Sequence, residues 1–203
     1  LDCDDTLWGG VCGEVGPTGL TLDESHLALQ RRVVDLQRAG LLVCLCSKNN
    51  EADVWDVFRH RPEMPLRPEH LVASRINWQP KSENLRALAA ELNLGLDSLV
   101  HVDDSPFEIA EIRAQCPEVL AFELPADPAG RLSFVRHNWA LDHVAGTSAD
   151  AARTDTYRVH TGRTPAALPP VGRPAASTSF WSAWTFASNS RLRPSPTSPG
   201  PRS

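Results

Sequence analysis

Asp2-Cys3-Asp4-Asp5-Thr6 places two carboxylates two positions apart, with a hydroxyl two positions further on. Further along the chain, Ser47, Lys81 and the pair Asp103-Asp104 supply another hydroxyl, an amine and more carboxylates. These residue types suit phosphoryl transfer. A carboxylate nucleophile can take up a phosphoryl group and divide one hard displacement into two easier steps. Nucleophile and phosphate are both anionic, so the reaction needs Mg²⁺ to neutralise their charge. A second carboxylate can give a proton to the leaving group and later take one from water. A hydroxyl and a lysine can hold the remaining phosphate oxygens. Each feature alone also fits a plainer role. Acidic pairs cap helices or sit in solvated turns, and Ser47 and Lys81 alone would be an N-cap and a surface lysine. Their joint placement is what points to chemistry.

That placement depends on the elements between them. Leu27, Leu29, Val33, Val34 and Leu36 predict an amphipathic helix ending near Gly40. Leu41–Cys46 is a continuous apolar run of strand length, stopped by Ser47-Lys48-Asn49-Asn50. A second helix is predicted through Val54, Val57 and Phe58 to near Pro62, and Leu71–Ile76 reads as a short strand. Lys81 opens a third helix, with Leu85, Leu88, Ala89 and Leu92 on one face. Leu99–Val102 is a strand halted by Asp103-Asp104, and Pro106 starts a helix at the position proline prefers. Val119–Phe122 is the last predicted strand, and the glycine-rich stretch from Trp8 to Gly19 reads as turns. Strands alternating with helices predict an α/β, Rossmann-like fold with a parallel sheet covered on both faces. The carboxyl ends of parallel strands share one edge, where ligands bind, so the scattered features are expected to meet in space.

In this order the features resemble the motifs of the haloacid dehalogenase (HAD) superfamily. Asp2-Cys3-Asp4-Asp5-Thr6-Leu7 looks like the first motif, Ser47 the second, Lys81 the third and Asp103-Asp104 the fourth. The resemblance implies a HAD-like Rossmannoid three-layer fold with a minimal cap. It implies Asp2 as nucleophile, Asp4 as general acid/base, and Ser47 and Lys81 as phosphate ligands. Mg²⁺ would be held by Asp2, Asp103 and the backbone carbonyl of Asp4, with Asp104 as a supporting carboxylate. A response-regulator receiver uses similar residue types, but its phospho-acceptor lies mid-domain, which this order does not match.

The surrounding residues are similar to FkbH-like domains, HAD proteins of polyketide and nonribosomal peptide assembly lines. The similarity lies in Leu7-Trp8-Gly9-Gly10-Val11-Cys12-Gly13-Glu14, Cys46-Ser47-Lys48-Asn49-Asn50 and Asn77-Trp78-Gln79-Pro80-Lys81-Ser82-Glu83-Asn84. It extends to Val102-Asp103-Asp104-Ser105-Pro106 and His137-Asn138-Trp139-Ala140, and so covers residues 1–158. This resemblance implies transfer of a glyceryl group from 1,3-bisphosphoglycerate, a phosphorylated three-carbon substrate, to the phosphopantetheine thiol of an acyl carrier protein. Phosphate is lost, and a cysteine carries the glyceryl thioester. Cys12 is the first candidate for that thiol. Cys3 comes second, because a side chain between two outward carboxylates faces away from them. The plainer reading of Cys12 is a small half-buried flap residue with no neighbouring histidine to lower its pKa. Without a large inserted cap there is room above the strand ends for a carrier protein. Two alternatives stand beside glyceryl loading: a small-molecule phosphatase using Asp2, and a non-catalytic remnant that only binds.

Composition narrows the setting. The chain has 203 residues, 41% hydrophobic and 22% charged, with a formal net charge of -5. Nothing in that balance invites a nucleic-acid backbone. No apolar run approaches a membrane span and no signal peptide opens the chain, so the cytoplasm is the expected compartment. Cys3, Cys12, Cys44, Cys46 and Cys116 form no CxxC pair, which argues against zinc or a disulfide framework. Leu1 stands directly before the acidic cluster, where a buried strand would supply several apolar residues, so the first strand is expected to be truncated. Residues 1–160 are expected to form the HAD-like domain, and 161–203, rich in Pro, Ser and Arg, a disordered tail. That tail composition also fits coding sequence read out of frame.

Overall fold

The computed structural model describes residues 1–142 and 156–157; the expectations for residues 161–203 and for a boundary at residue 160 lie outside them. Ten elements follow one another: α1 (Cys12–Gly19), α2 (Glu24–Arg38), β1 (Val43–Ser47), α3 (Glu51–His60), β2 (Leu71–Ile76), α4 (Lys81–Leu92), β3 (Val100–Asp103), α5 (Pro106–Gln115), β4 (Leu120–Glu123) and α6 (Pro128–His137). The strands are parallel, β1 beside β2 and β3 beside β4. Leu1 and Asp2 connect the two pairs. The Leu1 amine donates to the Cys44 carbonyl at 2.9 Å, and the Cys46 N–H donates to the Leu1 carbonyl at 2.8 Å. On the other side the Asp2 N–H donates to the Val102 carbonyl at 3.1 Å. Asp2 therefore lies between the two strand pairs, at the edge where β1 and β3 end.

Two apolar layers follow from strand alternation, since successive side chains point to opposite faces. Val43 and Leu45 of β1 pack with Trp8, Leu29, Val33, Val54, Val57 and Phe58, while Cys46 joins Val72, Leu85, Leu88, Ile109 and Ile112. Helices thus cover both faces, as the α/β pattern predicts: α2 and α3 on one, α4 and α5 on the other. Each fully buried leucine or isoleucine contributes roughly 1.5–3 kcal/mol. Among the described residues no helix is long and apolar enough to cross a membrane.

Two local features depart from the expectation. The stretch after Trp8 is more than turns: Cys12–Gly19 is helical, kinked at Gly16, whose φ of 66° suits glycine, with Pro17 just beyond. The helix α6 was not signalled, because its apolar residues lack a clear period; it is fixed at its start by the Asp127 carboxylate accepting from Gly130 N–H at 2.7 Å. By contrast α2, whose end near Gly40 the sequence predicts, begins at a strong cap. Asp23 accepts from the N–H of Ser25 at 2.8 Å and of His26 at 3.1 Å, and Arg131 of α6 reaches it at 3.4 Å. Several donors on one carboxylate hold its pKa down to about 2, outweighing the burial that would raise it.

Candidate active site

The chain turns sharply straight after Asp2. The N–H groups of Thr6 and Leu7 both donate to the Cys3 carbonyl, at 3.3 and 2.8 Å. Asp5 takes the left-handed conformation, φ 52°, and its carboxylate accepts the Gly10 N–H at 2.8 Å. A non-glycine residue held there marks a backbone shaped by its surroundings. The buried Gln30 of α2 fixes the turn from behind, its amide donating to the Leu7 carbonyl at 2.7 Å. Two neighbouring carboxylates are thereby aimed apart. Asp2 points along the sheet edge toward β3, whereas Asp4 points toward α1 and the loop after β1.

Asp2 is buried among charges. Lys81, at the first position of α4 and only 1% exposed, donates to Asp2 Oδ1 at 2.7 Å. The same ammonium also contacts Asp103 Oδ2 and Glu108 Oε2. Ser47, at the end of β1, hydrogen-bonds the Asp2 carboxylate. Burial raises the Asp2 pKa to about 6: Lys81 pulls against this, and the negative charge of Asp103 adds to it. Asp103 goes the other way. Burial would raise it, but the His101 and Lys81 contacts hold it low. Lys81 is kept charged well above its usual range, because its three carboxylate partners outweigh its burial. Asp104 is shifted up by burial and by Asp103, and accepts from Thr6 Oγ1 at 3.3 Å.

Carboxylate oxygens of Asp2, Asp103 and Asp104 all lie within 4.8 Å of one another. Their donor set is oxygen only, which suits a hard divalent cation. The charge count agrees: carboxylates of Asp2, Asp103, Asp104 and Glu108 face the ammonium groups of Lys81 and Lys48, leaving the cluster anionic. The side chain of Asp4 is not among these ligands. Its Oδ1 accepts from Trp8 Nε1 at 2.8 Å and the Cys12 N–H at 3.1 Å, and its Oδ2 from Asn49 Nδ2 at 2.8 Å. This side-chain placement leaves only the Asp4 backbone carbonyl, the contact the family resemblance implies, to join a cation there.

Cys12 sits beside Asp4, buried, with Asn49 Nδ2 3.3 Å from its Sγ. Burial, reinforced by Asp4, pushes its thiol up to about 12. Cys3 is fully buried in the apolar core, and burial raises its thiol well above the usual range. The structure thus brings Asp2, Ser47, Lys81, Asp103 and Asp104 into one cluster, and Asp4 with Cys12 into an adjoining one. Lys81 contacts the carboxylates themselves and serves as the counter-ion of Asp2.

Several residues escaped the sequence reading. Glu108, in the first turn of α5, bridges Lys81 and Lys48, the latter at 2.9 Å. Asn49 and Trp8 both hold Asp4. Trp8 had a usable signal, four positions beyond Asp4, while Asn49 had one in lying two positions beyond Ser47. Nothing in its own sequence neighbourhood marks Glu108 as a partner of Lys81.

No protein-family model and no curated protein matches the chain. A solved structure does. The N-terminal part of the protein BF1531 from Bacteroides fragilis, containing a phosphatase domain complexed with Mg, is 34% identical with a TM-score of 0.66. The match covers 72% of this chain and 40% of that one. Together with the parallel strands, it establishes the HAD-like α/β fold.

Proposed function

We propose that the domain is a Mg²⁺-dependent phosphatase in which Asp2 is the phosphoryl acceptor. The observation that carries this reading is the buried cluster of Asp2, Asp103 and Asp104 at one sheet edge, with Lys81 2.7 Å from Asp2. The Mg in the similar phosphatase domain supports the choice of ion. When bound by Asp2, Asp103 and Asp104, with the Asp4 carbonyl, the ion supplies positive charge for the phosphate oxygens. The remaining chemistry belongs to the chain. A carboxylate oxygen of Asp2 attacks phosphorus as the bond to the leaving oxygen breaks, and Asp4, protonated for this step, gives that oxygen its proton. Asp4 then takes a proton from water as the water oxygen attacks the aspartyl phosphate, releasing inorganic phosphate and restoring Asp2. Ser47 and Lys81 steady the transferring group.

A second reading extends the first: a phosphorylated three-carbon acyl donor, 1,3-bisphosphoglycerate, whose glyceryl unit passes through Cys12 to an acyl carrier protein. The placement of Cys12 beside Asp4 favours it, because a carboxylate at that point can take the thiol proton as sulfur attacks the acyl carbon. The C1 phosphate is the leaving group as the thioester forms, water removes the C3 phosphate through the Asp2 chemistry above, and the carrier thiol displaces Cys12 in turn. One experiment separates the readings. The protein is incubated with Mg²⁺, 1,3-bisphosphoglycerate and a carrier protein, beside Asp2→Asn, Cys12→Ala and EDTA controls. Phosphate release that needs Asp2 and Mg²⁺ but leaves the carrier mass unchanged supports the phosphatase. A carrier that gains a glyceryl mass, lost with Cys12→Ala, supports acyl loading. Phosphate release undiminished in Asp2→Asn would exclude Asp2 as acceptor.

A further inference from the structure

His101 lies in β3 with no exposed surface, two residues before Asp103 and so on the same side of the strand. Its Nε2 is 2.9 Å from Asp103 Oδ2. A carboxylate can only accept, so Nε2 carries the hydrogen and donates. Among the described residues its Nδ1 has no hydrogen-bond partner. A buried unsatisfied nitrogen costs about 1–3 kcal/mol. For packing alone, an apolar ring would serve better here.

We propose that His101 is a positioning residue for the cation site, its Nε2–H fixing the Asp103 carboxylate so that its remaining lone pair is offered to a cation shared with Asp2 and Asp104. The proposal rests on the Mg²⁺ reading above. Asp103 is held at both oxygens: Oδ1 accepts the Ser105 N–H at 3.0 Å, and Oδ2 accepts from His101 and Lys81. Lys81 is shared with Asp2 and Glu108, so it can exchange partners as ligands arrive. Among the described residues the His101 side chain hydrogen-bonds to Asp103 alone. Hydrogen-bond partners of metal-binding side chains typically govern affinity by 10–100-fold.

The test is Mn²⁺ binding to the full chain, measured by isothermal titration, in wild type, His101→Phe and His101→Gln. Phenylalanine keeps a ring and loses the donor; glutamine carries an amide N–H at about the reach of Nε2. The expected result is a Kd at least about 10-fold weaker in His101→Phe, with melting in EDTA unchanged or raised, and recovery to near the wild-type Kd in His101→Gln. Equal Kd values in wild type and His101→Phe would overturn the proposal. So would His101→Gln binding as weakly as His101→Phe, which would make ring shape the determinant. If His101→Phe fails to fold while His101→Gln folds, the bond belongs to fold stability and the proposal is likewise overturned. A wild type that binds no Mn²⁺ would instead refute the cation reading itself.

Discussion

Replacing Asp2 with asparagine should make the metal-free protein more stable while removing the proposed phosphoryl acceptor. The Asp2 pKa stands at about 6 against an ordinary 3.8, burial being the main cause. That rise of about two on the pH scale, at about 1.4 kcal/mol per pKa unit, means that ionised Asp2 costs the fold about 3 kcal/mol. Asparagine carries no charge but gives up the Lys81 ion pair, so the net gain should be about 1–3 kcal/mol. The sign follows from linkage. A group whose folded pKa is raised contributes stability that is full below the unfolded value of 3.8 and lost as pH rises through about 6. The wild type should therefore match Asp2→Asn in acid and fall behind it as pH rises to neutrality and above. Asp103 does not blur the comparison, because its lowered pKa keeps it ionised through this window. Urea unfolding in EDTA at mildly alkaline and acid pH is the assay, and with a slope of about 1–3 kcal/mol per molar the midpoint should move by about 1 M. Mg²⁺ should then stabilise the wild type by about 2.7 kcal/mol at a hundredfold excess over its Kd, and the variant, one carboxylate short, by less. An Asp2→Asn protein less stable than wild type in alkaline EDTA, or a difference that ignores pH, would refute the reasoning.

Asp23→Ala removes the cap of α2 and the Arg131 contact, and should cost about 1–2 kcal/mol, read as a lowered melting temperature. Because the Asp23 pKa is lowered to about 2, this contribution is present above 3.8 and fades as pH falls through about 2; partial solvent exposure keeps it below what the shift alone suggests. Cys12, with its thiol at about 12, should react with iodoacetamide at mildly alkaline pH about a thousandfold more slowly than a free cysteine, as followed by peptide mass. Labelling at the rate of a free thiol would contradict the buried, Asp4-facing placement.

Sequence carried the elements well where one physical signal dominated. The run Leu41–Cys46 and the apolar side of α4 needed only period and length, and Pro106 opened α5 where expected. The site was legible in outline because Ser47, Lys81 and Asp103 each close or open an element on the sheet edge where Asp2 lies, a property of parallel topology. What was not legible is direction. Whether Asp4 points to the cation cluster or away from it depends on the turn at Asp5 and on Trp8, Asn49 and the Cys12 N–H, which are brought together only by folding. The same holds for Lys81, whose partner Glu108 lies across the sheet edge in α5. His101 is an intermediate case. Its spacing of two from Asp103 put both on one strand face, yet only the fold shows its donor committed to Asp103.

The most direct test of the account is to trap the phosphoryl group on its acceptor. The protein, Mg²⁺ and a reactive acyl phosphate are quenched within a turnover and treated with borohydride, which reduces an aspartyl phosphate to homoserine, and the peptides are then mapped by mass. The account predicts homoserine at position 2, dependent on Mg²⁺ and absent in Asp2→Asn. Phosphate release with no modified residue at position 2, or with modification at Asp4 or Asp103 instead, would contradict it.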